Sequence, residues 1–285
     1  MLTGFFPGMK LILSKIYTGI NNRVSNLSAM QIRKSTFEDY SAALNACGDS
    51  GYNNSQLIDV VVTKTEVFED SGKSNPMSTT FQGVNFFRYA PILLTEMSLS
   101  TLKVLDFGGA AGYQHSISNK LLGRDDKLIW SVVDTAKMVE KAAGHRYPNR
   151  KFFIGIKEAL DSEGCFDIVT SSSSLQYCDD PLKFLRELVE VKAKYLLIQK
   201  TPLFNGQGKI VCLQKSRLSD NGPGPLPNSF KDKYIHYPIT YVSEKDFEEI
   251  LSVYYQIRFK VYEEFESFNF RREKIHTVNY FCVIQ

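Results

Sequence analysis

Val104-Leu105-Asp106-Phe107-Gly108-Gly109-Ala110-Ala111-Gly112 runs from a short apolar segment through a carboxylate into a glycine-rich turn. A buried parallel strand ends this way when it must bring backbone close to a ligand. Glycine tolerates positive φ and carries no Cβ to hold a ligand off. The helix expected after the turn begins with unpaired N–H groups. Asp106 sets the chemistry. In the dinucleotide fingerprint G-x-G-x-x-G the turn receives a pyrophosphate, which a carboxylate aimed into it would repel. Here the acid stands two residues before the first glycine, and the small residues fall at Gly108, Ala110 and Gly112. That D-x-G-x-A-x-G spacing suits a ligand carrying an ammonium group.

Outward from this turn, apolar runs alternate with helical periodicity. Strands are expected near 102–107, 128–133, 151–155, 166–171 and 194–200, and helices near 113–122, 135–144 and 181–190. Such alternation implies an α/β fold with a mostly parallel sheet and right-handed crossovers. Ligands in these sheets bind beyond the carboxyl ends of the strands, where strand order switches. Asp106, Asp134 and Ser171 to Ser174 all fall at such ends. Farther on, Ser243 with Glu244 and Asp246 reads as a capped helix start. Two β-like runs follow it, Tyr255 to Glu263 and His276 to Ile284, with no helix between them. They predict an antiparallel final pair.

These pieces together resemble the class I S-adenosylmethionine-dependent methyltransferases. The opening turn is similar to their first motif, with Ala110 in place of the usual middle glycine. Trp130-Ser131-Val132-Val133-Asp134 resembles their second strand, Phe166-Asp167-Ile168-Val169-Thr170-Ser171 their fourth, and Leu175-Gln176-Tyr177-Cys178-Asp179-Asp180-Pro181 the segment after it. The wording of these pieces, with Met138-Val139 and Thr201-Pro202, is similar to a methyltransferase subgroup found with bacterial surface-polysaccharide (O-antigen or capsule) genes. The resemblance covers roughly residues 36 to 285. It implies a Rossmann-like fold, a mostly parallel seven-stranded sheet with a final antiparallel strand, and an N-terminal helical segment. It implies S-adenosyl-L-methionine as cofactor and a small-molecule or glycan-linked acceptor, with O-methylation as the reaction. The Asn-Pro-Pro-Tyr sequence of amino-group methyltransferases is absent, so amino acceptors in nucleic acid are not expected.

The same resemblance assigns roles. Asp106 would meet the methionine ammonium and Asp134 the ribose hydroxyls, while Gly108, Gly109 and Gly112 would let the cofactor approach. The adenine pocket would include Gly155, Ile156 and Glu158. Ser173 and Gln176 would line the methionine part, and Tyr177 would reach the methionine part or the acceptor. The segment from Asn205 to Tyr241, rich in Gly, Pro and Ser, reads as a long loop and substrate lid. His236 within it is the first choice for a general base, because an unperturbed imidazole titrates near neutrality. His115, just inside the glycine turn, is its rival. Domain organisation follows as an amphipathic extension over 1–35, a helical cap region over 36–100 and a Rossmann-like domain over 101–285 with its lid at 205–241. Within the cap region Thr36 is the expected N-cap of a first helix ending at Gly48. A second helix is expected from Ser55 to Gly72, with Leu57, Val60, Val61, Val67 and Phe68 on its apolar side. A third would carry the stripe Phe86 to Met97.

Composition narrows the classes. A chain of 285 residues with 43% apolar content can hold one large domain and a small appendage. A net charge of +3 gives no argument for a nucleic-acid partner. The five cysteines show no C-x-x-C pair and read as buried thiols of a reducing cytosol, with no metal site expected. No signal pattern or membrane-crossing run is present, so a cytoplasmic protein is expected. Two further classes stay open. One is a catalytically silent methyltransferase-like partner protein, since Ala110 departs from the motif and no residue stands out as base. The other is an NAD(P)-binding oxidoreductase, against which the position of Asp106 counts.

Met9, Ile12, Leu13, Ile16, Tyr17 and Ile20 recur at helical spacing beside Lys10, Lys15 and Arg23. This helix either packs on the protein or makes peripheral contact with an anionic membrane at the inner face. Liposome co-sedimentation separates the two. Deleting residues 1–30 lowers partitioning onto anionic vesicles if the helix rests on lipid, and leaves it unchanged if the helix packs on protein.

Overall fold

A computed structural model describes residues 35–48, 51–71, 101–122, 127–144, 147 and 149–285. The helix expected around Met9 to Ile20 and the one expected from Phe86 to Met97 lie outside these residues. Chain order begins with β1 (Thr36–Phe37), α1 (Tyr40–Cys47) and α2 (Ser55–Ser71). Next come β2 (Leu102–Phe107), α3 (Tyr113–Leu122), β3 (Leu128–Val133), α4 (Ala136–Ala142), β4 (Arg150–Phe153) and α5 (Ile156–Glu163). They are followed by β5 (Ile168–Ser172), α6 (Pro181–Glu190), β6 (Tyr195–Phe204), β7 (Lys209–Arg217) and β8 (Tyr234–Ser243). The chain ends in α7 (Glu244–Leu251), β9 (Tyr255–Phe270) and β10 (Glu273–Ile284).

Among the described residues, ten strands join one sheet. Its main body runs β4-β3-β2-β5-β6-β10-β9, parallel from β4 to β6, with β10 antiparallel to both of its neighbours. The mostly parallel α/β fold with an antiparallel final strand is therefore present. Strand order reverses at β2, which lies between β3 and β5. This is the switch point where α/β sheets leave a crevice at their carboxyl ends. β2 and β3 are buried at nearly every position, which is why both read as continuous apolar runs. One face of the sheet packs Leu105, Val133, Val169, Leu196 and Tyr280 beneath helices α5, α6 and α7. The other packs Val104, Trp130, Ile168, Leu197 and Phe281 against α3 and α2.

Several boundaries differ from expectation for identifiable reasons. Thr36 caps no helix, because it pairs with Cys212 in the ladder of β1 and β7. Asp39 caps α1 instead, accepting the Ala42 N–H, and Gly48 ends that helix in the left-handed conformation. Val67 on α2 is 48% exposed, whereas Leu57, Val60, Val61 and Phe68 are buried. The strand expected over 151–155 is Arg150–Phe153, since Gly155 is already the cap of α5. Residues 205–241 are not a loop. They form most of an antiparallel pair, β7 and β8, that docks on the end of β6 through Leu203↔Val242 and Phe204↔Ser243. Only 218–233 connects the two strands, and it opens with a short 3₁₀ turn at Leu218–Asp220. Among the described residues no helix is long and apolar enough to cross a membrane.

Helix α2 lies across this second wing and the glycine turn together. Its Leu57, Val60 and Val61 pack with Ala111, Met138, Leu218, Ile235 and Tyr237. Its Lys64, only 1% exposed, donates from Nζ to the carbonyls of Ser219 (2.8 Å) and Asn221 (2.6 Å). Burial lowers this ammonium to about 8, partly opposed by Asp220 and Asp232. Between about pH 8 and the ordinary lysine range the folded chain binds fewer protons here than the unfolded one, so this group raises stability as pH rises. Urea unfolding at pH 7.5 and 9.5 should show the wild type gaining stability relative to Lys64→Met at the higher pH. A difference that does not change with pH would mean the buried amine is not titrating.

Candidate active-site crevice

The turn after β2 is fixed from four sides. The Gly108 N–H donates to Val133 O (2.8 Å), which continues the β2–β3 ladder past the strand end. Ser174 Oγ donates to Gly108 O (3.2 Å), and a Cβ at Gly108 would run into Ser174. At the other end, Arg150 Nη1 donates to Gly112 O (2.8 Å), and a Cβ at Gly112 would lie 2.5 Å from Arg150 Cδ. Gly108 (φ 68°) and Gly112 (φ 78°) also need the left-handed region. Ala110 adopts the same region at φ 52° without being glycine, at a cost of about 1–3 kcal/mol. Its N–H reaches Asp134 Oδ2 at 2.9 Å. The residue that departs from the motif thus keeps the backbone shape that a glycine would supply.

The two strand-end acids differ. Asp106 is 1% exposed, and its Oδ2 accepts the indole N–H of Trp130 at 3.0 Å. A Cβ at Gly109 would lie 2.5 Å from that same oxygen, so the carboxylate closes directly on the turn. Asp134 is half-buried and accepts the N–H groups of Ala110 and Thr135. Burial raises its carboxyl above the usual carboxylate range, and the two backbone N–H groups pull it back.

The rest of the crevice comes from β5, β4 and the wing. Ser173 follows β5 in the left-handed region (φ 54°), with its N–H on Gln199 O (2.9 Å). Gln176 lies in the 3₁₀ turn Leu175–Tyr177, is 4% exposed, and its Oε1 has no hydrogen-bond partner among the described residues. Gly155 begins α5 with open space where a Cβ would stand, beside Ile154, which is 60% exposed. Glu158 accepts the Ile154 N–H at 2.9 Å.

Tyr177 packs its ring against Tyr52 (4.7 Å between centroids) and Tyr237 (5.3 Å), and its hydroxyl donates to Gln214 Oε1 at 3.1 Å. Burial holds the Tyr52 and Tyr237 phenols well above their ordinary range. His236 is not in this group. In β8, successive side chains alternate faces. Tyr237 is on the crevice side, whereas His236 pairs with Lys215 on the face where Val211 and Leu213 meet α1. His115 is fully buried against Trp130 and Tyr147. Burial and the Arg150 charge lower its imidazole to about 3, which leaves it neutral near pH 7.

Sequence reasoning placed Ser174 at a strand end but gave no role to Tyr52 or Tyr237, and it missed the pair Arg150–Glu69. Arg150 Nη1 meets Glu69 Oε1 at 2.7 Å with side-chain exposures of 1% and 13%, and Ser116 Oγ donates to the same oxygen. The pair joins the C-terminal turn of α2 to Gly112. No spacing rule could have found it, because its members are 81 residues apart. Among the described residues, no group of His, Cys, Asp and Glu gathers to hold a metal ion.

No protein-family model matches the chain, and no curated protein matches it. Solved structures similar to it include the CcbJ methyltransferase from Streptomyces caelestis, at 13% identity and a TM-score of 0.41, covering 69% of this chain and 88% of that one. A S-adenosylmethionine-dependent methyltransferase from Clostridium acetobutylicum ATCC 824 is 13% identical with a TM-score of 0.42, over 77% of this chain and 98% of that one. Magnesium protoporphyrin IX methyltransferase from Synechocystis PCC 6803, with bound SAM, is 15% identical with a TM-score of 0.40, over 78% and 97%. The chemical reading of the crevice rests on its own residues.

Glu69→Ala would leave the Arg150 guanidinium buried without its anion, which costs about 3–5 kcal/mol in such sites. Chemical denaturation should record a loss of that size. A loss below about 1 kcal/mol would show that the pair does not hold α2 to the turn.

Proposed function

We propose that this chain is an S-adenosylmethionine-dependent methyltransferase that methylates a hydroxyl of a small-molecule or glycan-linked acceptor. The observation that carries the reading is the pair of carboxylates, Asp106 and Asp134, at the ends of adjacent parallel strands on either side of a turn held open by backbone hydrogen bonds. A ligand seated there meets two hydrogen-bond-accepting acids and no phosphate-sized nest free of negative charge. That favours a cationic group and a vicinal diol over a pyrophosphate.

The residues fit such a cofactor. Asp106 would receive the ammonium, and Gln176 Oε1, buried and lacking a donor among the described residues, would take another of its N–H groups. Asp134 accepts the ribose hydroxyls on the lone pairs left by Ala110 and Thr135. Gly155 and the exposed side chain of Ile154 give the adenine ring an open apolar edge. Gly108, Gly109 and Ser173 hold the turn against which the methionine part lies. When bound, the cofactor would supply an electrophilic methyl group on sulfonium for an acceptor oxygen, with the bonding electron pair staying on sulfur. The protein's part is to align the acceptor and keep water out. Tyr177 and its ring neighbours Tyr52 and Tyr237 form the wall on the acceptor side. The hydroxyls of Tyr177 and Tyr237 already donate to Gln214 Oε1 and Ser216 Oγ, so this wall positions the acceptor with its ring faces, and the acceptor's proton passes to solvent. His236, on the opposite face of β8, takes part in no step. Strands β7 and β8 cover the crevice in the role first expected of a loop.

Calorimetry tests the cofactor assignment. The wild type should bind S-adenosylhomocysteine and S-adenosylmethionine but not NAD. Asp134→Ala should weaken either binding by about tenfold or more, as loss of a charged hydrogen-bond partner does. Binding of NAD in preference would overturn the proposal, and methyl release from a panel of hydroxylated acceptors then identifies the substrate.

A further inference from the structure

Strand β6 is irregular at its centre. Its register with β10 passes from Ile198↔Tyr280 to Thr201↔Val278, so Gln199 and Lys200 together face the single residue Asn279. Lys200 takes φ 50°, a left-handed conformation that an L side chain adopts only at a cost. A bulge of this kind takes one backbone N–H out of the ladder. Here the side chain of Asn279 captures it, with Oδ1 accepting the Lys200 N–H at 3.1 Å. Asn279 is fully buried, and its Nδ2 donates to Glu263 Oε1 (2.9 Å) and Val261 O (3.4 Å) on β9. Because Glu263 can only accept from Nδ2 and Lys200 can only donate to Oδ1, the orientation of the amide is fixed.

The Lys200 N–H and the Gln199 carbonyl belong to one peptide group. That carbonyl, pointing the other way, accepts the Ser173 N–H at 2.9 Å. Ser173 is the second left-handed residue, and its neighbour Ser174 bonds Gly108 O and occupies the space a Cβ on Gly108 would need. A single line of contacts thus runs from Glu263 through Asn279, the Gln199–Lys200 peptide, Ser173 and Ser174 to the glycine turn. We infer that Asn279 is a positioning residue for the cofactor turn: it fixes the Gln199–Lys200 peptide plane, and through it the Ser173–Ser174 corner against which Gly108 is held. The inference rests on the proposed cofactor site, while the hydrogen-bond line itself stands apart from it.

Three variants test it. Asn279→Leu removes the acceptor, and Asn279→Asp keeps the acceptor but sets a carboxylate against Glu263. The paired change Asn279→Asp with Glu263→Gln restores the pattern with its polarity exchanged. By calorimetry with S-adenosylhomocysteine, both single variants should bind about tenfold more weakly, and the pair should return to within about twofold of wild type. Amide hydrogen exchange over residues 108–112 should rise in Asn279→Leu and return to the wild-type rate in the pair. A merely structural role would lower stability without this reciprocal rescue. Wild-type affinity and wild-type exchange in folded single variants would overturn the inference. If the wild type itself fails to bind the cofactor, the functional proposal falls, and the exchange rates still decide the hydrogen-bond line.

Discussion

A turn that offers its backbone to a ligand has to be rigid without being covered, and side-chain packing alone would cover it. Hydrogen bonds to the turn's own peptide groups meet both demands. Gly108 is held through its N–H by Val133 and through its carbonyl by Ser174, Ala110 through its N–H by Asp134, and Gly112 through its carbonyl by Arg150. The four ties come from three places, so the turn integrates the end of β3, the corner after β5 and the start of β4. A small residue is needed wherever a neighbour closes in, and this is why Asp106, Ser174 and Arg150 face Gly109, Gly108 and Gly112.

The same turn explains why α2 carries buried charges. A helix placed over a crevice by apolar contacts alone could slide. Glu69 at one end is fixed to Arg150, and Lys64 is fixed one to two turns earlier to the carbonyls after β7. Before Lys64 along the helix, Leu57, Val60 and Val61 pack with Ala111 and Tyr237. Desolvating these ions is costly, and the gain lies in register, since each has directional partners only in one placement of the helix.

How much of this was readable beforehand depends on what each strand touches. β2 and β3 are central and buried on both faces, so their apolar runs and terminal acids stand out in the sequence, and their bounds match expectation at both ends. β7 and β8 were hidden. Gly206, Gly208, Gly222, Pro223, Gly224 and Pro225 surround them with turn signals, and Pro238 sits inside β8. Proline is tolerated there because β8 bonds β6 only through Val242 and Ser243, leaving that stretch without a second ladder. With the strands unread, His236 looked like a loop histidine near a crevice, whereas alternation along β8 gives that place to Tyr237. Asp106, Asp134 and the glycines were legible because their roles follow from a local pattern. Arg150, Tyr52 and Asn279 were not, because each acts through a partner far away in the chain.

Backbone strain sorts in the same way. Among the described residues, six that are not glycine have positive φ. Asn149, Lys192 and Arg271 occupy connections between elements, where a left-handed residue turns the chain and costs little else. Ala110, Ser173 and Lys200 differ: Ala110 and Ser173 stand just past the carboxyl ends of β2 and β5, Lys200 stands at the bulge in the middle of β6, and each is bonded through its N–H to another element. Three strained residues at about 1–3 kcal/mol each would not persist in one region unless the surrounding hydrogen bonds over-determined them. The bonds from Asp134, the Gln199 carbonyl and Asn279 do so, and they hold in one shape a backbone that its own conformational preferences would release.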